Sequence, residues 1–199
     1  MKNQKIQKLT FTAAMLALGT VLSLIKPWTM PYGGSVTIMS MLPIVLVSFR
    51  YGIGYGCLIS FLYSVIQLGL SLPEVLTWGL TPAVLVGSIF LDYIVPYTLI
   101  GLSGVFRRRG MFLQLTGITG ALVLRFMSHF ISGFILWTNM EQFLLFGKNY
   151  VGHPVLYSLV YNGTFMLPEL LLTLIGAFIV LRIPAVRKFV IGDVRKVRA

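Results

Sequence analysis

Acidic side chains are scarce in this chain: five Asp and Glu among 199 residues, against 16 Lys and Arg. The single cysteine, Cys57, sits inside an apolar run, so no disulfide framework exists. The two histidines stand at 129 and 153, with no HExxH, CxxC or paired-His spacing, and no metal centre is expected. A phosphate-cradling GxxxxGKS/T loop is missing too, since Gly147-Lys148 lacks the upstream glycine. No GxSxG elbow occurs. Ser128 and Ser132 neighbour His129, but without that elbow, and with Ser128 on a different helix face from His129, a hydrolytic pair is not expected. The chain is therefore expected not to be an enzyme and to carry no cofactor. Any active transport would draw on an ion gradient or on another subunit.

What is abundant is apolar surface. The chain is 57% hydrophobic and 11% charged, with a mean hydropathy of +0.89, and the bilayer is the natural solvent for such a composition. An all-α integral membrane protein is expected, six transmembrane helices in one compact bundle over 1–199. The spans are read at 9–26, 36–50, 53–71, 83–106, 111–137 and 164–183. The net charge of +11 does not point to nucleic acid, because the basic residues fall in alternate loops. Lys2, Lys5 and Lys8 precede the first span, Arg50 and Arg107–Arg109 occupy later turns, and Arg182, Arg187, Lys188, Arg195, Lys196 and Arg198 follow the last. The opposite loops hold Lys26, Lys148, Glu74 and Glu141. Positive charge prefers the cytoplasmic side, so both termini are expected there, with the basic tail near anionic lipid.

Polar groups at membrane depth are costly and mark candidate sites. The stretch 125–137 carries His129, Gly133 and Trp137 at four-residue intervals, so a ring, a gap and a second ring lie on one broad helix face. Such a face suits a flat, cationic, water-soluble molecule; interhelical packing of His129 and a belt role for Trp137 are the alternatives. Asp92 and Tyr93 fall in the outer half of the fourth span, where the carboxylate either compensates a cationic ligand or pairs with a neighbouring helix. Tyr157 offers a π face and Asn162 both a donor and an acceptor, matching the edge of an aminopyrimidine-like ring. Arg125, one turn below His129, and Glu169, two turns below Asn162, are expected to pair as the floor of this site, with Pro168 bending the last span. Ala13 and Ala17 form a small-xxx-small face on the first span, for internal packing or for another helix. Gly52-Ile-Gly-Tyr-Gly56 reads as a tight turn into the third span.

Four runs together resemble the thiamine-specific S components of energy-coupling factor transporters. They are Gly-Gly-Ser-Val-Thr at 33–37, Leu-Asp-Tyr at 91–93, His-Phe-Ile-Ser-Gly with the following Trp137, and Tyr-Ser-Leu-Val-Tyr-Asn-Gly at 157–163. The resemblance covers nearly the whole chain in order. It implies a six-helix protein of the bacterial plasma membrane that binds thiamine from outside and delivers it by joining a shared transmembrane subunit and two ATPase subunits, which hydrolyse the ATP. It further implies that His129 and Trp137 sandwich the ligand rings beside Gly133, that Asp92, Tyr93, Tyr157 and Asn162 make polar contacts, and that Ala13 and Ala17 meet the shared subunit. Two positions depart from the pattern: the acidic residue before Tyr is often Glu where this chain has Asp92, and some members place Trp where it has Gly34, with Trp28 the nearest indole. An S component for hydroxymethylpyrimidine or riboflavin, and a stand-alone ion-coupled carrier, are the competing readings.

Overall fold

Lipid offers the backbone no hydrogen-bond partner, so apolar runs of this length close their bonds internally as helices. The computed structural model describes residues 2–137 and 144–192; Glu141, Arg195, Lys196 and Arg198 lie outside them. The helices are α1 (Lys2–Leu24), α2 (Leu42–Tyr51), α3 (Ile53–Val75), α4 (Pro82–Ser88), α5 (Val95–Leu99), α6 (Met111–Ile135), α7 (Pro154–Arg182) and α8 (Pro184–Ile191). A π-helical turn (Ile89–Ile94) and a 3-10 segment (Ile100–Phe106) continue α4 and α5 into one crossing. Short antiparallel pairs, β1 (Trp28–Thr29) with β2 (Ser35–Val36) and β3 (Leu144–Leu145) with β4 (Lys148–Asn149), lie in the connections α1–α2 and α6–α7.

Among the described residues, five helical stretches are long and apolar enough to cross a membrane: Asn3–Leu24, Ile53–Trp78, Pro82–Phe106, Met111–Ile135 and Pro154–Arg182. The second expected span is a ten-residue helix instead. At about 1.5 Å per residue it covers roughly half of a ~30 Å hydrocarbon core. The reason is local, since Val36, placed in that span by its apolarity, pairs with Trp28 in the β1–β2 hairpin. Protein surrounds α2, where Ile44, Val45 and Val47 have no exposed surface. The last helix begins at Pro154 rather than at 164, ten residues early, so Tyr157 to Asn162 are its first turns and not a loop. It runs on through Pro168 without a break.

Between α2 and α3 Gly52 adopts φ +90°, a conformation that L side chains rarely take, and this makes the expected turn. Gly56 is different, because a Cβ there would lie 2.6 Å from Ser48 Oγ, so the helices meet at backbone distance. The basic residues gather at this end of the bundle. Lys8 Nζ stands 3.5 Å from the centre of the Tyr55 ring, Arg50 Cζ 3.7 Å from that of Phe189 on α8, and Arg107 donates to the α2 carbonyl of Arg50 at 3.0 Å. Cations stacked on rings and on a helix C-terminus tie α1 to α3, and α2 to α8 and to the turn before α6, opposite the hairpin.

Candidate functional site

The crossing that carries Asp92 is distorted there by Pro96. In an α-helix the carbonyl of Asp92 would accept from residue 96, which has no N–H and whose ring crowds that carbonyl. The chain widens instead into a π turn, and Val95 N–H bonds Phe90 rather than Leu91. The carbonyl of Leu91 thereby loses its α partner, and its π partner would again be Pro96. Ser128 of α6 supplies the missing bond, Oγ donating to Leu91 O at 2.7 Å. One turn further along α6, Ser132 Oγ donates to Asp92 Oδ2 at 2.6 Å.

Asp92 is the hub that the sequence left open. Its carboxylate takes Ser132, the Trp137 indole N–H at 3.4 Å, and lies 3.2 Å from His129 Nδ1. So the neighbouring helix does bond the carboxylate, yet Asp92 keeps about 20% of its side chain exposed. His129, Gly133, Trp137, Asp92, Tyr93, Tyr157 and Asn162, read separately from the sequence, all line one cavity. The cavity also takes in Gly33, Gly34, Ser35 and Thr37 of the hairpin region.

The wall formed by α7 changes the meaning of Gly133. A Cβ there would fall 2.2 Å from Ser158 Oγ and 3.1 Å from Asn162 Nδ2. The gap read as room for a ligand ring is filled by α7, whose approach requires a residue without a side chain. Ser158 Oγ donates to Phe130 O at 2.7 Å, and Asn162 Nδ2 donates to Ser158 O at 2.9 Å and to His129 O at 3.2 Å. These bonds spend the amide nitrogen and leave Asn162 Oδ1 as the acceptor offered to the cavity. Tyr157 stacks on Tyr161 with ring centres 5.8 Å apart.

The mouth is aromatic, and two of its three rings escaped the sequence reading. Trp78, in the 3-10 turn that follows α3 (Leu76–Trp78), and Tyr32, in the hairpin, meet Trp137 with ring centres 5.7 Å from it in each case. Tyr32 holds φ +61°, rare for a bulky residue, and Gly33 beside it at φ +93° sits against Trp78. Trp28 is 46% exposed and does not line the cavity, so Tyr32 is the ring this chain sets over the site. Gly34 lies against α7, where a Cβ would come within 2.8 Å of Phe165 and 3.0 Å of the Tyr161 hydroxyl. That hydroxyl accepts from Gly34 N at 3.2 Å and donates to Pro31 O, so α7 holds the hairpin closed. The signal in the sequence was Tyr161 itself, one turn above Phe165, but no pattern tied it to a segment 130 residues away.

Arg125 and Glu169 both line the cavity floor, as expected, but they form no ion pair; among the described residues only His129 and Asp92 come within that range. Glu169 Oε1 instead takes the backbone N–H of Thr37 and its hydroxyl, the latter at 2.6 Å. Arg125 lies 4.3 Å over the Tyr97 ring and donates to the Met41 sulfur. Neutral donors from the entry to α2 meet Glu169 Oε1 and a π face meets Arg125, so the expected pairing is replaced by two local contacts. Ala13 and Ala17 are exposed on the outer face of α1, away from the cavity, which rules out internal packing within the described residues.

Residues 9–189 match the family model described as thiamine transporter protein (Thia_YuaJ). The chain is 30% identical over 186 residues to the thiamine transporter ThiT of Bacillus subtilis (strain 168), covering 86% of this chain and 88% of that one. Its fold is similar to the solved structure of ThiT from Listeria monocytogenes, with a TM-score of 0.67 and 21% identity over 92% of this chain and 98% of the other.

Proposed function

We propose, from the premise that this chain belongs to the thiamine transporter protein family, that the cavity between the hairpin, α3, the Asp92 crossing, α6 and α7 binds thiamine. Thiamine joins a permanently cationic thiazolium ring to an aminopyrimidine with donors and acceptors on its edge. The observation that carries the reading is the carboxylate of Asp92, partly exposed between an imidazole and an indole inside a cavity walled by rings. Asp92 faces the cation, and aromatic faces at Trp137 and Tyr32 each add roughly 0.5–2 kcal/mol, more as water leaves. Asn162 Oδ1 accepts from the ring amine, Tyr157 and His129 present faces to the pyrimidine, and Tyr93 borders the cation. Gly133 acts by bringing α7 close enough for Asn162 to reach.

Uptake is assigned to an S component of an energy-coupling factor transporter in the bacterial plasma membrane, working with a shared transmembrane subunit and two ATPases. The sequence has no nucleotide loop of its own, and the exposed Ala13–Ala17 face supports a close helix partner on α1. With the basic end cytoplasmic, the aromatic mouth opens outside.

Titration of the purified protein with thiamine, followed by tryptophan fluorescence, is expected to give saturable quenching, because Trp78 and Trp137 both border the cavity. Asp92→Asn weakens binding by about tenfold or more, the scale of one charge-assisted contact. Quenching by riboflavin or hydroxymethylpyrimidine but not by thiamine overturns the assignment.

A further inference from the structure

Ser128 and Ser132, passed over as a hydrolytic pair, are the two α6 side chains that reach the distorted turn. Both are buried, Ser132 with no exposed surface, and they bond consecutive residues, Leu91 and Asp92. We propose that Ser132 is a positioning residue for the Asp92 carboxylate, with Ser128 anchoring the backbone beneath it. This pair sets the preference of the site for a cationic over a neutral ring. The inference rests on the thiamine reading above.

Of the three donors to Asp92, Ser132 is the one that fixes it. Its 2.6 Å contact lies in the range of a hydroxyl bonded to an ionised carboxylate. The Trp137 contact at 3.4 Å is near the limit of a hydrogen bond, and the His129 contact at 3.2 Å depends on which ring nitrogen carries the proton. The backbone offers the carboxylate little rigidity of its own, because the π turn replaces the regular ladder and Pro96 removes a donor. Ser128 restores the bond that this costs Leu91. An aspartate side chain has only two torsions, so with its backbone held at 91 and Oδ2 held by Ser132 both are determined. Oδ1 is then the oxygen that faces His129 and the ring space. Attraction between opposite charges falls with distance and is strong only where water is excluded, so a carboxylate free to swing would distinguish cation from neutral ring less sharply.

The test compares thiamine with 3-deazathiamine, in which carbon replaces the thiazolium nitrogen and the ring is uncharged. Ser132→Ala is expected to raise the thiamine Kd by about tenfold, the scale of a charge-assisted bond, while the 3-deazathiamine Kd stays within about twofold. The retained neutral ligand also reports that the variant is folded. Ser132→Thr, which keeps the hydroxyl, restores the cation preference. In an Asp92→Asn background Ser132→Ala has little further effect on thiamine, the mark of a residue acting through Asp92. Equal losses for both ligands, an undiminished effect without the carboxylate, or a wild-type protein indifferent to ring charge overturns the proposal. A wild-type protein that binds neither ligand overturns the thiamine reading beneath it.

Discussion

Gly133 shows how a correct pattern acquires a different cause at the level of one residue. The four-residue ladder through His129 and Trp137 does lie along one cavity wall, and its period was legible because helical spacing alone fixes it. The purpose of the gap was not legible, since it depends on Ser158 and Asn162 of another helix. Gly133→Ala is expected to cost about 1–3 kcal/mol by overpacking, read as a lower melting temperature in detergent, and to loosen the Asn162 contacts. Gly133→Ala combined with Ser158→Ala recovers part of that loss, because the second change removes the Oγ that the new methyl group meets. Arg125 and Glu169 teach the same lesson in reverse. Their depth followed from sequence spacing, but the partners actually taken, Thr37, Tyr97 and Met41, come from elements whose approach no local pattern encodes.

Elements were legible where hydropathy alone decides, and displaced where polar residues face inward. The Asp92 segment and α6 fall within two residues of their expected bounds, whereas the first crossing begins at Asn3 rather than 9 and the third runs on to Trp78 rather than 71. The start of α7 was misplaced because Tyr157, Ser158 and Asn162 look like loop residues, whereas they turn into a polar cavity rather than toward lipid. The hairpin between α1 and α2 was absorbed into a span because Val36 and its neighbours are apolar, and only its pairing with Trp28 separates it. Two bonds from the Tyr161 hydroxyl hold this hairpin to α7. Tyr161→Phe removes both while keeping the ring. The expected result is thiamine dissociation several-fold to about tenfold faster, with a smaller change in association, resolved by stopped-flow fluorescence. An unchanged dissociation rate would show that the hairpin is held by its packing on Phe165 and Trp78 instead.

For the molecule as a whole, the division of charge is the organising feature. Lys8, Arg50 and Arg107 cluster at the end opposite the aromatic mouth, through contacts of α1 with α3 and of α2 with α8 and the turn before α6. Loop charges counted along the sequence anticipated this grouping, because each crossing reverses direction and the short connections leave basic residues nowhere else to go. Impermeant maleimide is therefore expected to label Lys148→Cys in intact cells and Arg109→Cys only after permeabilisation, in a Cys57→Ala background. Labelling in the opposite order would invert the assigned direction of uptake.

The bonds to Asp92 and Glu169 also bear on how the cavity receives a cation. Asp92 takes a hydroxyl and an indole hydrogen, and Glu169 Oε1 takes a hydroxyl and an amide hydrogen, donors that carry no net charge. No lysine or arginine of the described residues pairs with either carboxylate, so on the thiamine reading the thiazolium cation displaces none. Donors arranged in advance leave little ordering to be done on capture, so on that reading little affinity is lost to assembling the seat.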